Sequence, residues 1–519
     1  MKIQKTALLA SAALAAATGL AAQANAAAFY LQEQSTKAVG RAFSGEVSEQ
    51  GAQQQWWNPA AIGGITGFQN YVGLSLIDPT ADATNRNTVV RRPGLNLGAL
   101  PGVPNLNSLA PGLPIQLNPT LLASQDVVGG NQNVHNMVNK GYLPNGGFAL
   151  PLPGGFAFGF TMTSPFSFTT NYGPDDWTRY SADKSRLRTF DFQPALAWSN
   201  GHISIGGGPN VEYVRATLSN YLPDPLQNVQ SGLTQSLQQQ LAILGPLGAQ
   251  IAQQLGAGVG GPLSAVLNTG DGHQYLKGKG WDVGYSFGFQ YHNDKVDIGV
   301  SYKSAIKHHL KGHLIVDGLG GLLAIGGANQ RVDGAHADFT TPWQVNFGGR
   351  YHVNRKLTLN AQVTRFGWNK FDAIRLTDLG NGQPINGSAT VAPIEDQDIT
   401  ENYKNSWSFA GGFDYKLSKR LTWRGGVQRD LSPIVSGFRD PRVPDGNRWN
   451  FATGGSYEMT DHMGIDAAFS YDKIKSVNID STTYAFVGTT PNLETAIVND
   501  GRLHNAHALV FSLCGHLGF

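Results

Sequence analysis

The chain has 519 residues, a formal net charge of +2 and only 14% charged residues, where soluble proteins average about 25%. That balance gives no general attraction for nucleic acid, and one cysteine, Cys514, excludes an intrachain disulfide and a cysteine-built zinc site. Glycine is abundant at 65 and aromatics make up 10%, with no composition break to divide the length into soluble domains.

Met1–Ala26 reads as a signal peptide, with Lys2 and Lys5, an apolar stretch over 7–20, and Ala24-Asn25-Ala26 as a small-x-small cleavage site. Past it no run of about 18 apolar residues occurs, so no membrane helix is expected. Such an exported chain is either soluble in the periplasm or medium, or it crosses a membrane as a closed barrel. Residues 27–66 lack a strand's alternation and a helix's long apolar stripe, and they end on Trp56-Trp57-Asn58-Pro59-Ala60. Pro59 has no N–H and biases Asn58 away from helix, which fixes a turn or extended piece. The size and polarity of this segment suit a plug, so 27–66 is expected to be an N-terminal hatch and 67–519 a barrel.

Short alternating segments fill the rest. Val296, Ile298, Val300 and Tyr302 share one face against Asp297, Ser301 and Lys303, and Ile465, Ala467, Phe469 and Tyr471 oppose Asp466, Ser470 and Asp472. A half-buried sandwich shows the same period, but the strands are long and aromatics recur near their ends, as in interfacial girdles. Leu509, Phe511, Leu513, Leu517 and Phe519 alternate to the last residue. Candidate strands lie near 67–77, 142–152, 154–168, 187–199, 201–219, 279–293, 295–316, 334–352, 355–377, 401–417, 419–435, 446–459, 462–479 and 504–519, about fourteen in number. Bacterial barrels require an even count. The fold class is therefore all-β, a transmembrane antiparallel β-barrel. Tight turns at Asn200-Gly201, Asn293-Asp294, Asn354 and Asp461 suit the periplasmic rim. The long loops 78–141 and 220–278 suit the outside. The first is full of Pro, Gly and Asn and reads as irregular. The second carries leucines at helical spacing, so short helices are expected there. Leu233, Leu237, Leu241 and Ile251 then either pack a small core of the loop or line an apolar groove for hydrophobic ligand.

Several pieces resemble, in order, the long-chain fatty-acid transporter family of Gram-negative outer membranes (FadL type). They are the Gly40–Glu46 run with Asn58-Pro59-Ala60, Leu143-Pro144-Asn145, Thr170-Asn171-Tyr172-Gly173, Pro194-Ala195-Leu196-Ala197, Gly280-Trp281-Asp282-Val283-Gly284, Tyr302-Lys303-Ser304, Thr341-Pro342-Trp343, and Val443-Pro444-Asp445 with Arg448-Trp449. The terminal aromatic of the last strand resembles the C-terminal signal of outer-membrane barrels. The resemblance implies a monomeric fourteen-stranded barrel in the outer membrane of a Gram-negative bacterium, closed by its hatch. A long-chain fatty acid or other hydrophobic small molecule would be captured in an outer groove, pass to an inner pocket and leave sideways beside a kinked third strand. Its other partners would be outer-membrane lipid and lipopolysaccharide, with no nucleic acid, no cofactor and no enzymatic activity. The kink is assigned to Gly154–Phe168, where Pro153, Gly154, Gly155 and Pro165 interrupt pairing. The Asn58-Pro59-Ala60 turn is expected against that strand, as part of the gate with Gly154 and Gly155. Arg215 and Arg375 are carried over as partners of a substrate carboxylate; the alternative for both is a rim charge facing lipopolysaccharide or loop carboxylates. Relatives that import aromatic hydrocarbons would need no such partner.

Other motifs carry less. Gly284-Tyr285-Ser286-Phe287-Gly288 fits a nucleophile elbow as a string but sits within a strand rather than at a strand–turn–helix corner. Gly256–Gly261 fits a dinucleotide fingerprint with no strand before it. His308, His309 and His313 lie on an alternating strand, where neighbours face apart, and read as rim histidines rather than a metal site. A general porin, an outer-membrane hydrolase or an adhesin are the remaining alternatives.

Overall fold

The computed structural model describes residues 28–96, 120–121, 123–227, 242, 245–246, 269–380, 382–385, 390–489 and 492–519. Fourteen barrel strands follow one another in the chain. They are β1 (Gln69–Asn85), β2 (Gly141–Pro151), β3 (Phe156–Thr163 and Ser167–Asn171), β4 (Lys184–Ser199), β5 (Ile203–Leu222), β6 (Gly272–His292) and β7 (Val296–Lys303 and Ile306–Asp317). The second half comprises β8 (Gln330–Thr341 and Trp343–His352), β9 (Leu357–Gly367 and Ala373–Thr377), β10 (Ser406–Lys416), β11 (Leu421–Asp430), β12 (Arg448–Glu458), β13 (Met463–Ile474) and β14 (Gly501–Gly518). Each pairs antiparallel with the next, and β1 pairs with β14 from Gln69↔Gly518 to Asn85↔Gly501, which closes the cylinder.

The alternation has the opposite sense to that of a soluble core. Trp281, Val283, Phe287 and Leu513 are exposed, while Ser286, Gln290, Asp466 and Ser470 are buried. An apolar exterior around a polar interior is stable only where lipid surrounds the wall. One rim is built by a repeated device. Asn200 Oδ1 accepts the N–H groups of His202 and Ile203, Asn293 Oδ1 those of Lys295 and Val296, and Asn354 Oδ1 those of Lys356 and Leu357. Ser418 and Thr460 do the same with their hydroxyls. These side chains replace a backbone turn partner, which is why short connections select them.

The opposite rim carries the long connections. Part of 78–141 is more regular than its Pro- and Gly-rich sequence suggests: Val89–Arg92 and Ser124–Val127 join Thr482–Ala485 and Thr495–Val498 in a small outer sheet. Those partners lie some four hundred residues away in the chain, so no local pattern announces them. The leucine-rich part of 220–278, with Leu233, Leu237, Leu241 and Ile251, lies outside the described residues, as does Met1–Ala26.

Residues 28–66 run inside the cylinder as a short helix (Thr36–Gly40) and 3-10 turns (Glu46–Ser48, Ala52–Gln54 and Pro59–Ile62), and almost all are buried. Glycines let this backbone press on the wall. A Cβ at Gly206 would strike Pro59, one at Gly288 Asn58, one at Gly299 and Gly348 Val47, and one at Gly426 Arg41. All five sit at inward strand positions; at Gly206, Gly299 and Gly426 the obstacle is backbone, and at Gly288 and Gly348 it is the side chain of Asn58 and of Val47.

Candidate functional site: an apolar cavity behind a broken strand

Strand β3 is interrupted at Ser164-Pro165-Phe166, between its two segments. Pro165 cannot donate to a ladder, and the N-terminal segment takes over the pairing from inside. Leu31 N–H donates to Pro165 O at 2.7 Å and Ser167 N–H to Phe29 O at 3.0 Å. The Gln34 amide closes on Ser164 from both sides, donating to its carbonyl at 2.9 Å and accepting from its N–H at 3.0 Å. On the β2 side the ladder stops at Gly146↔Met162 and contact resumes only at Val138↔Thr170. The wall therefore lacks strand pairing between residues 140–145 and 163–168.

An apolar cavity lies behind this break. It holds about 610 Å³ of space between atoms, counting its open mouth, within the usual range of about 300–1,000 Å³ for ligand pockets. Phe29 of the N-terminal segment, Phe168 of β3, Leu187 of β4, Leu218 of β5, Leu276 of β6, Leu310 of β7, Phe339 of β8 and Phe371 line it. Phe29 joins cavity and break: its carbonyl holds Ser167, while its ring lies 5.8 Å from Phe168, 5.0 Å from Trp368 and 5.1 Å from Phe371. Two polar side chains border the cavity, Glu401 and Arg442. Arg442 Nη1 pairs with Asp440 at 2.9 Å, while its buried Nε has no partner. Burial pushes the Glu401 carboxyl up to about 8; Asp440 adds to this and Arg442 opposes it. The arrangement is an apolar chamber with a cation and a neutral acid at its edge, suited to a hydrophobic molecule with at most a small polar head.

A family model described as outer membrane protein transport protein (OMPP1/FadL/TodX) matches residues 17–508. The chain belongs to this family. It is 24% identical to the long-chain fatty acid transport protein of Escherichia coli K12, over 93% of this chain and 96% of that one. It is 28% identical to an outer membrane protein of Neisseria meningitidis serogroup B over 49% of its own length, spanning about half (54%) of that relative. Among solved structures, a Pseudomonas aeruginosa FadL homologue matches with a TM-score of 0.70 at 21% identity, over 94% of this chain and 99% of that one. The P. putida toluene transporter TodX matches with a TM-score of 0.54 at 14% identity, over 92% and 97%. These two likenesses show the fold, and the family places the barrel in the outer membrane.

Within this FadL/TodX family member, two sequence expectations need correction. The break is not at Gly154-Gly155: those residues have φ values of 77° and 81° and form the short turn between β2 and β3. Their glycines serve the left-handed turn, and Pro165 makes the break. Nor do the hydrogen bonds of Asn58 in Asn58-Pro59-Ala60 go to the broken strand. Asn58 Nδ2 donates to Val47 O at 2.7 Å and to Phe289 O of β6 at 3.1 Å, while its Oδ1 caps Ala60 N–H at 3.0 Å. The motif thus ties the segment to the β5–β7 wall, where Gly206 and Gly288 leave room. The neighbouring histidines do face apart: His308 is buried and bonded to Thr341 at 3.2 Å, while His309 is exposed.

Arg215 stands on the outward face of β5, and Arg375 is exposed and bonded to Asp372 at 2.6 Å. Neither lines the cavity, whose polar groups come from two outer loops. Arg41 is a residue that sequence reasoning missed. Fully buried, it pairs with Glu46 at 2.6 Å, with Glu49, and with Asp414 of β10 at 3.0 Å. Arg350 and Arg424 complete the network on Asp414 at 3.3 and 3.0 Å. The signal was a cation followed by two acids, Glu46 and Glu49, in a segment whose other charges are Glu33 and Lys37. Among the described residues no cluster has the makings of a metal site.

Proposed function

We propose that this family member carries long-chain fatty acids, or molecules of similar hydrophobicity, across the outer membrane by passive diffusion, as a monomer. Residues 27–66 act as a hatch. Substrate enters the apolar cavity from the outer loops. It leaves sideways into the bilayer through the unpaired stretch beside β3. The observation that carries this reading is Phe29, whose ring lines the cavity while its carbonyl holds the broken strand. Displacing the hatch tip therefore widens the chamber and frees the gap in one movement. The energetics favour such a path: each methylene removed from water gains about 0.8 kcal/mol, so a sixteen-carbon chain would lose roughly 12 kcal/mol in a water-filled pore. Arg442 offers a donor to a carboxylate head.

A second reading, uptake of aromatic hydrocarbons, is favoured by the ring-rich lining of Phe29, Phe168, Phe339 and Phe371. Uptake of labelled oleate and of toluene in a deletion strain carrying this chain separates the two. Uptake of neither would refute the transport reading.

A further inference from the structure

A second ligand chemistry lies on the outside of the wall, independent of the transport path. On the outward face Arg188 of β4 stands opposite Arg215 of β5, Arg215 opposite Lys279 of β6, and Lys279 opposite Lys311 of β7. Four cations thus lie side by side across four neighbouring strands, about 5 Å from one to the next. Like charges directly opposite destabilise a sheet. Among the described residues none of the four forms an ion pair, whereas Lys307 on the same face pairs with Asp338 at 3.2 Å. Arg188 and Arg215, with Lys184, Arg186, Thr217 and Tyr275, border a concavity of about 540 Å³, counting its open mouth.

The position along the wall identifies the partner. Immediately below the row on the same face, Tyr213 and Trp281 pack at 4.9 Å and Phe192 and Trp281 at 5.9 Å. From there Trp281, Val283, Tyr285, Phe287, Phe289 and Tyr291 are exposed down to the short turn at Asn293. At about 3.4 Å per residue and a tilt of about 40°, that stretch is roughly 26 Å tall, against about 25 Å for the apolar band of an outer-membrane barrel. The cations therefore stand where hydrocarbon gives way to headgroups, on the side away from the short turns. We infer that this row binds the phosphates of the outer leaflet's phosphorylated glycolipid, lipopolysaccharide, with its acyl chains laid over the aromatic residues beneath. Arginine forks and lysine ammoniums suit multiply charged phosphate oxygens, and an anion here relieves the repulsion within the row.

The test uses the full-length protein in mild detergent, titrated with purified lipopolysaccharide, with retained lipid read by native mass spectrometry. The R188Q/R215Q/K279Q/K311Q variant should retain about tenfold less lipid than the unaltered chain at equal concentration. Phosphatase-treated lipopolysaccharide should bind the unaltered chain as weakly as the intact lipid binds the variant. Undiminished retention by the variant, or equal binding of treated and intact lipid, would overturn the inference. So would full displacement by millimolar inorganic phosphate, which would mark a simple anion site. Heat-modifiable migration checks that the variant is folded; if it is not, R215Q and K279Q singly should each weaken retention severalfold, and no loss from either would equally overturn the inference.

Discussion

Gln34→Ala tests whether the N-terminal segment holds the broken strand. Gln34 and Ser164 are both buried, and the Gln34 amide satisfies the Ser164 carbonyl at 2.9 Å and its N–H at 3.0 Å. Truncation leaves both backbone groups without their partner. An unsatisfied buried group costs about 1–3 kcal/mol, so the docked state should lose about 2–4 kcal/mol after local relaxation. At 1.4 kcal/mol per tenfold, the population of the undocked state rises about thirtyfold or more. The barrel's own ladders are untouched, so the change is a local opening rather than unfolding. Amide hydrogen exchange on the folded protein reads it directly. Protection of Leu31, which donates to Pro165, and of Ser167, which donates to Phe29, should fall at least about thirtyfold, with Ser470 and Val510 of β13 and β14 unchanged. Unaltered protection at Leu31 and Ser167 would refute the reasoning, and so would an equal loss throughout the barrel.

The other tests address the wall tie and the cavity edge. Asn58→Ala removes a cap worth about 1 kcal/mol and the ties to Val47 and Phe289, so exchange at Ala60 should quicken about tenfold while Leu31 and Ser167 stay protected; loosening at the broken strand instead would mean that the two anchors are one. For Glu401, burial holds the carboxyl at about 8, above its free value near 4.3. Its neutral form costs nothing below about pH 4, and the penalty grows as pH rises toward 8. Protection of the Glu401 and Asn402 amides, both bonded to Asp372 O, should therefore weaken from pH 5 to pH 9 after correction for intrinsic rates, and Glu401→Gln should remove that trend. An identical trend in the variant would count against the assignment. Arg442→Gln should weaken binding of a fatty acid about tenfold, the scale of one charge-assisted hydrogen bond, and leave a hydrocarbon of equal length unaffected. Equal losses for both would assign Arg442 to the structure of the loop alone.

The barrel was legible because lipid imposes a strict two-residue period on its strands. Ile465 and Phe469 outward with Asp466 and Ser470 inward leave only one register that satisfies both solvents. The rim turns were legible for an equally local reason, since Asn200, Asn293 and Asn354 bond within their own turns. The same period also bears on Arg215: it shares parity with Tyr213, and the structure puts it on the outward face. The break in β3 was half legible. Pro165 is a breaker, but Pro153-Gly154-Gly155 looks stronger as a string, and only the turn geometry shows that those residues belong to a hairpin. The polar edge of the cavity was not legible, because Glu401 and Arg442 are brought together from separate loops.

The wall glycines bring these threads together. A barrel strand needs an outward apolar residue at every second position, but nothing about lipid dictates what faces inward. At Gly206, Gly288, Gly299, Gly348 and Gly426 the inward residue has no side chain, and at each the N-terminal segment occupies the space. Glycine weakens a strand, and its use at these inward positions fits a segment packed directly against the wall. At the level of the cavity the inward residues are instead Leu187, Leu218, Leu276, Leu310 and Phe339. Along the axis, then, the interior changes from glycine and polar side chains that grip the segment to large apolar side chains that face open space. The two zones meet at Phe29, which is where the wall is broken. The same inward alternation that builds the barrel thus separates a bound zone from an open one and sets the break at their boundary.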